Sequence, residues 1–169
     1  RLGTMFAFED DGAQPDLLVL SKTMGGGVPV SALVTTDVIE SDVVEKGFFM
    51  RTSHMGDPLT AAAGLAVLDI IEQEHLVEQA KIKGQYLKNK LLELKEIHPI
   101  IGDVRGRGLL LGIEFVKDPI SKEPAVLEAE LITAKCLEMG LLIDAPGGAK
   151  KGQALWRIAP PITIGYNEI

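Results

Sequence analysis

The stretch "PDLLVLSKTMGGGVPVSALVTT", residues 15–36, decides the reading of this chain. Residues 17–20, "LLVL", form a short continuous apolar run after Pro15-Asp16, the pattern of a strand buried on both faces. A second run, "VSALVTT" at 30–36, follows three glycines. The pattern predicts two buried strands joined through a glycine turn. It places Lys22 at the carboxyl end of the first strand, where open α/β sheets hold their ligands.

A lysine in that position has three readings. It is a solvated residue at a strand end, or it binds phosphate, or it is a covalent catalyst. The second reading fails on order, because a P-loop carries its lysine after the glycines and here Lys22 precedes them. In the third, an amine at the rim of an apolar layer has its pKa lowered by desolvation and attacks a carbonyl to form a Schiff base. Glycines beside it let a cofactor ring and phosphate approach the backbone closely. Spacing alone does not choose between the first reading and the third.

Outward from this segment, Asp37 is expected to cap a helix running to about residue 46, with Gly47 as its stop. "GDPLTAAAGLAVLDIIEQEH" gives the clearest helix start. Asp57 caps, Pro58 takes the first position, and Leu59, Ala62, Ala63, Ala66, Val67, Ile70 and Ile71 recur at helical spacing. A further helix is expected from about Leu76 to Glu96, with Leu76, Ala80, Leu87, Leu91 and Leu94 on one face, leaving one domain and entering the next. Beyond it, "IGDVRGRGLLLGIEFVKD" reads as a turn and a strand, and "PAVLEAELITAKCLEMG" as a helix stopped by Gly140. "LLIDA" and "ALWRIAPPIT" read as short strands or edges, so this half is expected to be α+β.

Composition narrows the class of partner. With 169 residues, a net charge of −7 and charges of both signs interspersed, the chain lacks the basic footprint that nucleic acid or an anionic membrane requires. The single cysteine, Cys136, excludes a disulfide framework within the chain and favours a reducing compartment, the cytoplasm by default. No apolar stretch reaches the roughly 20 residues of a membrane span. The opening "RLGTMFAFEDDG" has no initiator methionine and the closing "GYNEI" reads like the first turn of a helix, so a piece of a longer chain is expected. His54, His75 and His98 form no metal cluster with Cys136 or nearby carboxylates at ligand spacing, and no metal is expected.

Five ordered segments carry a resemblance across essentially the whole chain: "GTMFAFEDDG", "PDLLVLSKTMGGGVPVSALVTT", "TSHMGDPLTAAAGLAVLD", "IGDVRGRGLLLGIEFVKD" and "LWRIAPPIT". Together they resemble the carboxyl-terminal portion of the class III aminotransferases, pyridoxal-phosphate enzymes of fold type I. The closest likeness within the family is to 2,2-dialkylglycine decarboxylase and its aminotransferase neighbours. The resemblance implies an α/β fold in which residues 1–72 end the large cofactor domain and 73–169 form most of an α+β small domain. It implies pyridoxal 5'-phosphate as cofactor, with Lys22 as the lysine bound to it and later as the base that moves the substrate proton.

The resemblance also implies a homodimer whose active site is built across the interface. The family usually has threonine at the position of Ser53, whose hydroxyl binds the cofactor phosphate of the neighbouring subunit, and adjacent Thr52 is a possible substitute. Arg157, in "WRIAPP", matches the arginine that grips the substrate carboxylate, a role suited to a planar guanidinium. Arg105 and Arg107 match a structural turn with no catalytic role. The implied reaction moves an amino group from an amino donor to a 2-oxo acid. Decarboxylation-dependent transamination of a 2,2-dialkylglycine is one alternative, and a non-catalytic fragment acting as an oligomerisation module is another. In the family, the carboxylate that pairs with the pyridine nitrogen, the ring-stacking residue and the phosphate loop all lie upstream of Arg1. The 169-residue chain by itself is therefore expected to lack useful turnover.

Overall fold

The computed structural model describes residues 1–48, 52–145 and 152–169, and the chain divides into two compact units. One is Phe8–His75; the other joins Arg1–Ala7 to Leu76–Ile169. The division falls at His75 and Leu76, where the sequence suggested 72 and 73, and it assigns the first seven residues to the carboxyl-terminal unit.

In the Phe8–His75 unit, β1 (Leu17–Leu20) pairs antiparallel with β2 (Ala32–Thr35) in the register Leu17↔Thr35 to Leu20↔Ala32. The Thr35 hydroxyl fastens one end by donating to the Asp16 carbonyl at 2.9 Å. These strands are not buried on both faces as expected. Val19 is 75% exposed and Leu33 58%, because the two strands pair with each other and no described element covers their outer face. Since the pair is antiparallel, the rule for parallel sheets that places ligands at carboxyl ends does not apply to it.

α1 (Asp37–Glu45) starts one residue earlier than its sequence suggested: the cap is Thr36, whose hydroxyl accepts from Ile39 N–H, while Asp37 is already helical. Gly47 closes it at φ 72°, with Gly47 N–H on Val44 and Phe48 N–H on Val43, the paired bonds of a Schellman stop. α2 (Pro58–Gln73) begins as expected, Asp57 accepting from Leu59 N–H at 3.1 Å and Pro58 in the first turn. Its packed stripe is Thr60, Ala63, Gly64, Val67 and Ile71. Leu59 and Ile70, expected on that stripe, are 72% and 48% exposed.

In the other unit, α3 (Leu76–Ile97) lies wholly on the carboxyl-terminal side of the division. It packs on a three-stranded antiparallel sheet, β3 (Ile101–Arg107), β4 (Leu110–Phe115) and β5 (Leu155–Ile158), in that spatial order. Alternation along β4 sends Leu111, Ile113 and Phe115 into the core and leaves Leu110 and Glu114 outside. Leu87 and Leu91 of α3, Ala129 of α4 (Val126–Glu138) and Trp156 complete the core, with Phe115 and Trp156 edge to face at 4.8 Å. Leu94, expected in this face, is 44% exposed.

Three further differences have local causes. "IGDVRGRG" is a strand and not a turn; Gly, Asp and Arg have little strand preference, and pairing with β4 overrides it. The turn itself is Gly108-Leu109, so Arg105 and Arg107 sit in β3. "LLIDA" forms no strand, only the isolated bridge Asp144↔Arg157. Gly140 stops α4 as expected, at φ 89° with Leu141 N–H on Cys136. Among the described residues no helix is long and apolar enough to cross a membrane.

Candidate active site

Lys22 heads a short 3-10 helix, Lys22–Gly25, in the connection between β1 and β2. Its φ of 60° is the left-handed region, which a side chain with a Cβ rarely adopts without an opposing constraint. The constraint is the tight turn behind it: Gly26 N–H donates to Thr23, Val28 N–H donates to Gly25, and Gly26 and Gly27 have φ of 59° and 113°. Only glycine takes the second of these values readily. α2 packs against this turn through small residues. A Cβ added at Gly64 would meet Met24 at 3.9 Å, and one added at Gly26 would meet Val67 at 3.0 Å. Lys22 is exposed.

Thr52 and Ser53 stand in the turn that leads into α2, both exposed. Met55 N–H donates to the Thr52 carbonyl at 3.2 Å and Asp57 N–H to the His54 carbonyl at 3.3 Å, so backbone bonds hold the turn. His54 lies 3.6 Å from the Asp57 carboxylate. His75 and His98 are exposed, and Cys136 is partly buried against the core of its unit. No group of three His, Cys, Asp or Glu among the described residues is placed to hold a metal.

Arg157 belongs to the other unit, on the outer face of β5. Its backbone N–H donates to the Asp144 carbonyl at 2.8 Å, and its Nη2 donates to the carboxylate of the same residue in a close ion pair. Nothing in the sequence pattern indicated Asp144, since its partner lies 13 residues away and the contact forms at an isolated bridge. The strand beyond Arg157 is held by Arg1, whose Nη1 donates to the Ala159 and Pro160 carbonyls at 2.7 and 2.6 Å. A cavity of about 1040 Å³ in this unit is lined by Leu87, Leu91, Ile113, Phe115 and Trp156 and also by Asp144 and Arg157.

Arg105 is committed to structure. Its Nη1 lies 2.7 Å from Asp103 and 3.1 Å from Glu114. The hydrogen bond from Arg105 holds the Asp103 carboxyl below the usual carboxylate range, and the two carboxylates raise the Arg105 pKa in turn.

The sequence model of the family "Aminotransferase class-III" matches residues 1–169. The chain belongs to the class III aminotransferases. Among its class III relatives, an uncharacterized aminotransferase of Schizosaccharomyces pombe is 43% identical over 169 residues, covering 100% of this chain and 38% of that protein. The mitochondrial alanine–glyoxylate aminotransferase 2 homolog 2 of Arabidopsis thaliana is 42% identical over 96% of this chain and 33% of its own length. The solved structure of a Bacillus anthracis aminotransferase superposes with a TM-score of 0.89 at 33% identity, covering 99% of this chain and 39% of that one. The fold is therefore the α/β arrangement of the fold type I aminotransferases, over a little more than a third of their length.

Proposed function

We propose that the chain contributes part of a pyridoxal-phosphate-dependent transaminase that moves an amino group from an amino donor to a 2-oxo acid. The observation that carries this reading is Lys22 in left-handed backbone at the head of a glycine turn. Such strain is kept where a particular side-chain position matters. In this reading the Phe8–His75 unit belongs to the large cofactor domain and the other unit to the small domain.

The residues present fit the cofactor. Lys22 Nζ supplies an exposed amine for the covalent attachment, and Gly27, beside which a Cβ would meet nothing within 4 Å, leaves open space close to it. Ser53, with Thr52 beside it, supplies hydroxyl donors to the phosphate held by a second copy of the chain, which makes the working protein a homodimer. When bound, the cofactor supplies a carbonyl carbon for the amines and a ring that takes up the electron pair. With the cofactor bound, Lys22 Nζ would be the base that holds and moves the proton at the substrate carbon. Arg157 fixes the substrate carboxylate and, with it, the orientation of the bond to be broken. The compartment favoured by a lone unpaired cysteine is the cytoplasm.

The test is a mixture of protein, pyridoxal phosphate and an amino donor, reduced with borohydride and mapped by mass spectrometry, with acceptor turnover measured in parallel on a full-length relative. A pyridoxyl group on Lys22 alone, and loss of amino transfer when the matching lysine is replaced by alanine, are expected. Labelling spread over surface lysines would overturn the role of Lys22. Carbon dioxide release coupled to amino transfer from a 2,2-dialkylglycine would replace simple transamination with the decarboxylating reaction.

A further inference from the structure

The outer face of the small sheet carries more charge than a carboxylate grip requires. Residues directly opposite in a ladder share a face, and the register sets Arg105, Gly112 and Arg157 in one row across β3, β4 and β5. Asp103 and Glu114 form the next row on the same face. Gly112 leaves the floor between the two arginines low: a Cβ added there would find nothing nearer than 3.7 Å.

The positive charges in this patch are already answered. Arg105 faces two carboxylates, Asp103 and Glu114, and Asp103 is also 4.0 Å from Lys95 at the end of α3. Arg107, nearer the turn, has an interaction of its own. Arg157 is bound at one nitrogen, Nη2, by Asp144, whose backbone bridge keeps the carboxylate beside it. A guanidinium has five N–H donors. Asp144 therefore occupies part of the Arg157 fork and offsets its charge at long range, while among the described residues none takes the remaining side-chain donors, which are left to a ligand at contact distance.

From this we infer that Asp144 is a specificity-determining residue: it makes Arg157 a site for substrates with a single carboxylate and disfavours dicarboxylates. This rests on the reading of Arg157 as the carboxylate grip. A monocarboxylate gains the short-range, charge-assisted hydrogen bonds that the open donors offer. The second carboxylate of a dicarboxylate gains only from the longer-range field, and there Asp144 offsets Arg157 while Asp103 and Glu114 offset Arg105. It also meets the charge of Asp144 as a repulsion. The amino donors and acceptors selected are thus those that carry a single carboxylate.

The experiment follows the arginine side-chain N–H signals of the ¹⁵N-labelled chain by NMR during titration with pyruvate and with 2-oxoglutarate. The original chain is expected to bind pyruvate more tightly than 2-oxoglutarate. Asp144→Asn, which keeps an acceptor oxygen and the backbone bridge but removes the charge, is expected to shift that ratio about tenfold toward 2-oxoglutarate, and Asp144→Glu to restore it. A ratio unchanged in Asp144→Asn overturns the inference while leaving Arg157 as the grip. Pyruvate binding that survives Arg157→Gln, in a variant whose backbone amide spectrum matches the original, overturns the role of Arg157 and the inference with it. So does the absence of any Arg157 response to either acid.

Discussion

Trp156 donates its indole N–H to the Thr133 hydroxyl at 2.7 Å, and the Thr133 hydroxyl in turn donates to the Ala129 carbonyl at 2.7 Å. This chain ties β5 to α4 one residue before Arg157. Trp156→Phe keeps the aromatic contact with Phe115 but removes the donor, at an expected cost of about 1–2 kcal/mol including lost packing. Urea denaturation followed by tyrosine fluorescence and circular dichroism checks it, and a variant as stable as the original would show the bond to be without net effect.

Gly84 of α3 lies against Gly108 in the β3–β4 turn so closely that a Cβ on Gly84 would fall 2.1 Å from the Gly108 carbonyl carbon. Backbone cannot give way as a flexible side chain does, so helix and turn must separate. Gly84→Ala is expected to destabilise this unit by about 3 kcal/mol, despite the better helix propensity of alanine. Thermal unfolding measures it; a raised melting temperature would contradict the close approach.

Asp57 caps α2 beneath the turn holding Thr52 and Ser53. Asp57→Ala is expected to cost about 1 kcal/mol, and to loosen that turn. Faster amide exchange at Leu59 and its neighbours would show the fraying directly, and protection equal to the original would exclude it.

Stability should fall in acid partly through Asp103. Its folded pKa lies below the ordinary value of 3.8, chiefly through the hydrogen bond from Arg105, so the unfolded chain takes up a proton first. The contribution is complete above the ordinary carboxylate range and is lost as the pH falls through 3.8 toward the folded value. Urea midpoints between pH 6 and pH 3 should therefore drop less for Asp103→Asn than for the original chain. Equal slopes would assign the acid sensitivity elsewhere.

Where a local rule fixes the backbone, the sequence was sufficient. Asp57-Pro58 starts α2 and Gly140 ends α4 because capping and positive φ involve only a few adjacent residues. The family was legible as well, from five segments in order. Tertiary structure decided the rest. β3 is a strand because β4 pairs with it, against the preferences of its own Gly, Asp and Arg residues. β1 and β2 are apolar enough to be buried, yet burial requires a covering element and the described residues provide none for their outer face. Asp144 acquired its importance only when the chain bridged it to Arg157, since a contact between residues 13 apart with no shared periodicity leaves no mark on either one's local sequence.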